Sequence, residues 1–388
     1  MSCFINAANE RLYGAVESEY GQAATVQSAD RLSFRALRLS ERIRRAERRD
    51  KTGSRTRAAP HPAVRTDNRF ELDCYFAGRD PSIATDGVAN VVEATLGGDR
   101  NISTGLTAND VTGNPQTVSF PSEHGLRAGQ AIRFQGDLRF VKTVLNATTI
   151  VLSAPFSNGF QAGSSTAQTV TMWPGEKPKS ITLNNYWTPS GSIDRVLAGC
   201  VVNEMTISLN SDFHGVAFRG NVREVVSVSS FAQGSAGLSG FPLEPGATSQ
   251  SFQLVPGHVG RLFLGGTEFF LLSLSVRLLN NADTATREFG MALSPCYSAD
   301  VREVTVQFQL YAGEDAAVEQ LHTLSRQRQE TDLTIQLGNQ AGQLVGVYIP
   351  RFVPEIPELQ DANTRVVMNY PGSIAYGVSN DEISIAFA

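Results

Sequence analysis

Five histidines and four cysteines, with a few adjacent carboxylates, are the residues with which this chain could carry out bond-making chemistry. His61, His124, His214, His258 and His322 stand alone. None lies in an HxxxH, HExxH or Cys-x-x-Cys context, the spacings that bring metal ligands onto one face. His322 sits beside the apolar stripe of a predicted helix and reads as a structural histidine. There is no Gly-x-Ser-x-Gly elbow and no phosphate-cradling Gly-x-x-x-x-Gly-Lys-Ser/Thr loop; Gly97-Gly98 and Gly265-Gly266 read as turns. The pairs Glu314-Asp315 and Asp381-Glu382 stand at element starts, where acidic groups favour the positive end of a helix or open a strand. A glycosidase needs two carboxylates aimed across a groove, and a sugar site needs stacking aromatics. Only Trp173 and Trp187 are available as tryptophans. No catalytic, cofactor-binding or metal-binding residue is therefore predicted. Cys3, Cys74, Cys200 and Cys296 are widely separated and read as buried free thiols of a reducing compartment.

The stronger chemical signal is charge. From Arg31 to Arg69 twelve arginines and Lys51 face only Glu41, Glu47, Asp50 and Asp67, although the whole chain carries −5. A basic segment thus accompanies an acidic remainder. Nucleic-acid binding is one reading, each arginine neutralising a phosphate. Between Leu37 and Asn68, however, no aromatic residue is present for base stacking. The other reading is contact between copies of the chain, the basic segment of one lying on the acidic body of the next. That reading is preferred, with Arg42, Arg44, Arg45, Arg48 and Arg49 as the assembly contacts.

The elements that position these groups are mostly strands. Residues 1–69 read as an extended basic N-terminal arm, with Ser40 as a possible cap of a short helix and Pro60-His61-Pro62 closing a linker. Phe70, Leu72, Cys74 and Phe76 alternate as a strand. Val88, Val91, Val92, Thr95 and Leu96 recur at helical spacing after Asp86, and Gly97-Gly98 ends the run. Four short strands between 113 and 170 suit a small inserted barrel or sandwich. A second helix from Glu314 to Gln327 directs Val318, Leu321 and Leu324 inward, before further alternating strands. Domains of this size bury a core without disulfide staples. No apolar stretch reaches membrane-span length, and Met1-Ser2-Cys3-Phe4 lacks a signal layout, so a soluble protein made in the cytoplasm is expected.

Two stretches repeat. Ser180 to Asn185, a gap, Cys200 and Met205 to Leu209 match Leu274 to Asn281, a gap, Cys296 and Val304 to Leu310, with equal Asn184–Cys200 and Asn280–Cys296 separations. Internal repetition governs architecture. The expected division is an arm (1–69), a first domain (70–112 and 171–240) holding an inserted small β domain (113–170), and a second domain (241–388).

Leu197-Ala198-Gly199-Cys200-Val201-Val202-Asn203-Glu204-Met205-Thr206-Ile207-Ser208, preceded by Ile181-Thr182-Leu183, resembles the central segment of tail tube proteins of long-tailed bacteriophages. Glu10 to Gly14 with Asp30 to Phe34, the helix ending Glu93 to Gly98, Val345 to Pro350 and the final strand Asp381 to Phe387 are similar to other parts of that family. The long basic arm and the large insertion depart from it. The resemblance implies a mainly β fold of two tail-tube-type β-sandwich domains, each with a flanking α-helix, plus the inserted module and the arm. It implies a non-enzymatic virion protein, without cofactor, assembled in the host cytoplasm. Its rings would stack into a hollow tube that conducts the genome during ejection. Three chains would make a pseudo-hexameric ring, or six if each contributes one unit. Implied partners are further copies, the terminator, tape measure and distal tail proteins, and DNA passing without sequence-specific binding; no membrane is involved. A lumen of net negative charge would keep DNA from sticking. Rival readings are another ring-forming virion protein (terminator, distal tail or capsid decoration) and a carbohydrate-binding or glycoside-hydrolysing β protein.

Overall fold

The computed structural model describes residues 5–45, 51, 53–56, 64–76, 87–110, 116–157, 160–187, 193–209, 212–246, 254–285, 289–313, 316–362 and 364–388. Among the described residues strands make up 49% and helices 10%, and one sheet curls into an incompletely closed half-barrel. The fold is therefore mainly β. Among the described residues the α-helices are α1 (Gly87–Leu96) and α2 (Ala316–Gln327).

One run of antiparallel strands organises the molecule. Phe34–Arg45 pairs with Val64–Tyr75, that strand with Gly215–Ser227, and that one with Arg195–Leu209. The run then crosses into the second half of the chain, because Glu204 to Leu209 pairs with Leu274 to Leu279. It continues through Glu303–Tyr311 and Arg365–Ala375 to Glu358–Ala362. Period-two alternation makes each strand two-faced. In Glu303–Tyr311, Val304, Val306, Phe308 and Leu310 are buried while Glu303 and Gln307 are exposed.

Other strands of the same sheet are buried along their whole length. Ser180–Tyr186 pairs with Arg11–Val16, and Thr331–Leu337 with Gly260–Leu264. Val345–Phe352 and Ser384–Phe387 extend the second set. The apolar stripe of α1 is submerged in the common core, and Asn90 there donates to the Gly14 carbonyl at 2.7 Å. The helix stops at Gly97 (φ +86°), where a side chain would strike the Lys177 carbonyl. Asp86 lies outside the described residues.

Strand Arg195–Leu209 changes partner midway, from Ser180–Tyr186 to the second half of the chain, beside a register shift between Val202 and Glu204. Two asparagines clasp that point. The Asn280 side chain donates to the Thr95 and Val202 carbonyls at 2.9 and 3.0 Å. The Ala282 amide donates to Asn203 Oδ1 at 2.7 Å.

The element order does repeat, but not where the sequence similarity suggests. Arg11–Val16, Phe34–Arg45, Val64–Tyr75, α1, Ser180–Tyr186, Arg195–Leu209 and Gly215–Ser227 are followed, in matching order, by a second set. That set is Gly260–Leu264, Ser273–Leu279, Glu303–Tyr311, α2, Thr331–Leu337, then Val345–Phe352 with Glu358–Ala362, and Arg365–Ala375. Ser180–Tyr186 thus corresponds to Thr331–Leu337, not to the strand containing Leu274. Cys200 is buried in a strand and Cys296 is exposed in a loop, so their equal spacings do not mark equivalent places. Nor is the basic segment an unpacked arm. Leu12 and Tyr13 are buried, and the stretch containing Ser40 is strand rather than helix because it is hydrogen-bonded along Val64–Tyr75.

The insertion forms its own sheet, in the order Thr117–Ser119, Thr149–Leu152, Asp137–Asn146, Ala131–Phe134. It is welded to the second unit. Phe140 stacks on Tyr348 with centroids 5.2 Å apart, and Lys142 Nζ meets Asp332 Oδ1 at 2.6 Å. Arg139 is wholly buried between them. Its Nε donates to the Pro155 carbonyl at 2.9 Å and its Nη1 to Gln336 Oε1 at 2.6 Å, while its guanidinium lies 4.5 Å from the Phe263 ring centroid. Burial pushes its pKa down to about 10, which still leaves it charged at neutral pH. Arg139→Met should cost about 3–5 kcal/mol, since Asp137 and Gln336 lose a buried partner. Arg38→Met, at an exposed ion pair, should change stability by less than about 1 kcal/mol. Denaturant midpoints of the two variants check the contrast; equal small effects would contradict it.

Candidate functional site: an open sheet face with two free edges

The solvent side of the strand run carries a ladder of opposite charges. Arg38, Glu71, Arg219 and Glu204 stand directly opposite one another on successive strands. Arg277 follows on the diagonal, since it faces Thr206. The ion pairs are Arg38–Glu71 at 3.5 Å, Glu71–Arg219 at 3.9 Å, Arg219–Glu204 at 3.4 Å and Glu204–Arg277 at 2.7 Å. Each falls in place because strand register sets opposite residues within side-chain reach. The last pair spans the two units. Beyond it the face carries the neutral polar groups Ser275, Thr305, Gln307 and Gln309, with the exposed Glu303 at its margin. This surface alternates in charge.

Both ends of the run are open among the described residues. Among the described residues Phe34–Arg45 pairs only with Val64–Tyr75, and Glu358–Ala362 only with Arg365–Ala375. The first edge carries Arg35, Arg38, Arg42, Arg44 and Arg45; the second carries Glu358 and Asp361, with Glu355 just before it. Each also bares an apolar side chain, Ile43 at 56% and Leu359 at 69% exposure. Of the residues predicted as assembly contacts, Arg42 is exposed on the first edge, Arg44 and Arg45 belong to the same strand, and Arg48 and Arg49 lie outside the described residues.

The residues weighed for bond-making chemistry are dispersed. His124 is engaged with the Asn146 carbonyl and the Leu126 amide. His214 is buried, which lowers its pKa, and shares a groove of about 420 Å³ with His258, Phe269 and Phe270. His61 and the pair Glu314-Asp315 lie outside the described residues. Asp381 accepts from the Val378 amide and from Arg351, and Glu382 pairs with Arg302. Trp173 lies under the Arg127 guanidinium at 3.6 Å, and Trp187 Nε1 donates to Asn185. Among the described residues no group of three or more His, Cys, Asp or Glu side chains is placed to hold a metal ion. None of the described helices is long and apolar enough to cross a membrane.

Comparison with protein-family models and with curated proteins finds no match. The functional reading therefore rests on this chain's own geometry.

Sequence reasoning missed the ladder. Its signal was an exposed charge at alternate positions of each strand, but which charges meet depends on register. Glu204 is the pivotal member. The hydrogen bond from Arg277, reinforced by the Arg277 and Arg219 charges, holds its carboxyl below the usual range against the opposing effect of burial. A lowered folded pKa means that the stabilisation is complete above the ordinary glutamate value of about 4.3 and is lost as pH falls through the folded value. Glu204→Gln should therefore destabilise the chain by about 0.5–1 kcal/mol at pH 7, and the gap to wild type should close on acidification. Thermal melts across that range check this; a pH-independent gap would contradict it.

Proposed function

We propose that this chain is a structural subunit that self-associates into rings, and that the rings stack into a hollow tube of the phage-tail type through which a genome passes. The observation that carries the reading is the in-chain pairing of Glu204 to Leu209 with Leu274 to Leu279. It splices the open-faced sheets of two equivalently ordered units side by side and leaves a free, oppositely charged edge at each end. A sheet with two such edges is a template for addition. A contact between different patches of identical chains closes into a ring or propagates as a filament. Two units per chain favour three chains in a pseudo-hexameric ring. The site is then a virion tail assembled in the host cytoplasm, with the terminator, tape measure and distal tail proteins as end partners.

On this reading the tail-tube-type sandwich is completed only in the ring, where the open face lines the channel and the insertion lies outside it. The ladder supplies the conducting property in a form other than simple acidity. Glu71 and Glu204 sit between Arg38, Arg219 and Arg277, so the row presents no unbroken run of cations to phosphates.

Negative-stain microscopy of the purified chain over a concentration series tests the reading. Hollow tubes or stacked rings are expected. Discrete single rings would assign it instead to a terminator, distal tail or decoration role, and a monomer at every concentration would overturn both. A second expectation concerns conduction. Glu71→Gln with Glu204→Gln should raise affinity for duplex DNA about tenfold at low salt, in a salt-sensitive way. Unchanged binding would remove the ladder from that role.

A further inference from the structure

We infer that the two free edges pair with each other between copies of this chain in one defined register, with Glu358 of one copy opposite Ser40 of the next. This rests on the assembly reading and names the surface that performs it. The register comes from the joint the chain already contains. Within the chain Thr206 faces Arg277. Thr206 connects through Ala217 to Asp73, and Glu358 connects through Asn369 to Gln309. Asp73 and Gln309 stand equally far before Tyr75 and Tyr311, the last residues of two equivalent strands. Glu358 is therefore the counterpart of Thr206.

The other side of the joint maps the same way. Arg277 faces Thr305, and Ser40 faces Arg69. Thr305 and Arg69 are again equally far from Tyr311 and Tyr75, so Ser40 is the counterpart of Arg277. Repeating the in-chain joint between two copies sets Glu358 against Ser40.

Side chains not used to derive this register agree with it. Glu358 falls on the open face with Arg38 and Arg42 on its two diagonals, within reach of long side chains. That mirrors Glu204, which takes Arg277 on its diagonal at 2.7 Å. The ladder that begins at Arg38 would then continue around the ring. On the core side Leu359, now 69% exposed, falls opposite Leu39, which packs at the margin of the core. Because Leu359 is held on the core side by its pairing with Met368, a shift by one residue would set it against open-face side chains of the next copy. The occupant of each edge is thus a second copy, chosen by opposite charge and by matched faces.

Cysteine pairs test the register, in a Cys3→Ser, Cys296→Ser background that removes the thiol exposed among the described residues and the one outside them. Ser40→Cys with Glu358→Cys should form intermolecular disulfides on mild oxidation, giving a covalent series that ends at a closed ring. Ala36→Cys with Glu358→Cys should form several-fold less. In parallel, Glu358→Arg should abolish assembly, and Arg38→Glu with Arg42→Glu in the same chain should restore it. If the chain assembles but the Ser40/Glu358 pair does not cross-link and Glu358→Arg is harmless, this inference fails while the assembly reading stands. If wild type sediments as a monomer at all concentrations, both fail.

Discussion

An antiparallel sheet cannot end without leaving a row of amide and carbonyl groups that need partners. Much of this chain's architecture can be read as a response to that constraint. Strand Arg195–Leu209 meets it by dividing its length: Arg195 to Val201 is satisfied by Ser180–Tyr186, and Glu204 to Leu209 by the first strand of the second unit's open-faced sheet. The register shift after Val202, held by Asn203 and Asn280, makes the division possible. One edge is thereby consumed inside the chain. The outer edges, Phe34–Arg45 and Glu358–Ala362, are displaced to its two ends, where among the described residues no further strand pairs with them.

Much of the fold was legible because hydrophobic periodicity is local. The alternating runs around Leu72, Met205, Val306 and Ile335 are strands, the stripe from Val88 to Leu96 is a helix, and the four short strands of the insertion form a sheet. The equivalence of the two halves was not legible. Strand composition is similar everywhere in such a protein, so Ser180–Tyr186 resembles Ser273–Leu279 as closely as it resembles its true counterpart, Thr331–Leu337. Only the pairing order separates them. Compositional bias misled in the same way at the basic segment, where five arginines along an edge strand read as part of an arm. Glu17 is a further example. It is buried and accepts from the Gly21 amide, Thr182 Oγ1 and the Gly199 amide, donors scattered too widely along the chain for spacing to reveal.

Fold alone does not decide function, and here function is argued from two surfaces. The open face has its cations interleaved with carboxylates, and the two edges are unlike in charge. The buried polar residues that stand out, Arg139, Glu17 and Asn280, tie elements together. Asn280 bridges the two units through the Thr95 and Val202 carbonyls, Glu17 joins strands within the first unit, and Arg139 ties the insertion to the second.

Amide hydrogen exchange followed as a function of protein concentration tests the central claim most directly. Protection at Phe34–Arg45 and Glu358–Ala362 should rise together as the chain associates. Glu204 to Leu209, already paired within the chain, should be protected at every concentration. If both outer edges exchange rapidly at all concentrations, or if protection appears instead on the open face alone, edge-to-edge association is not what this chain is built to do.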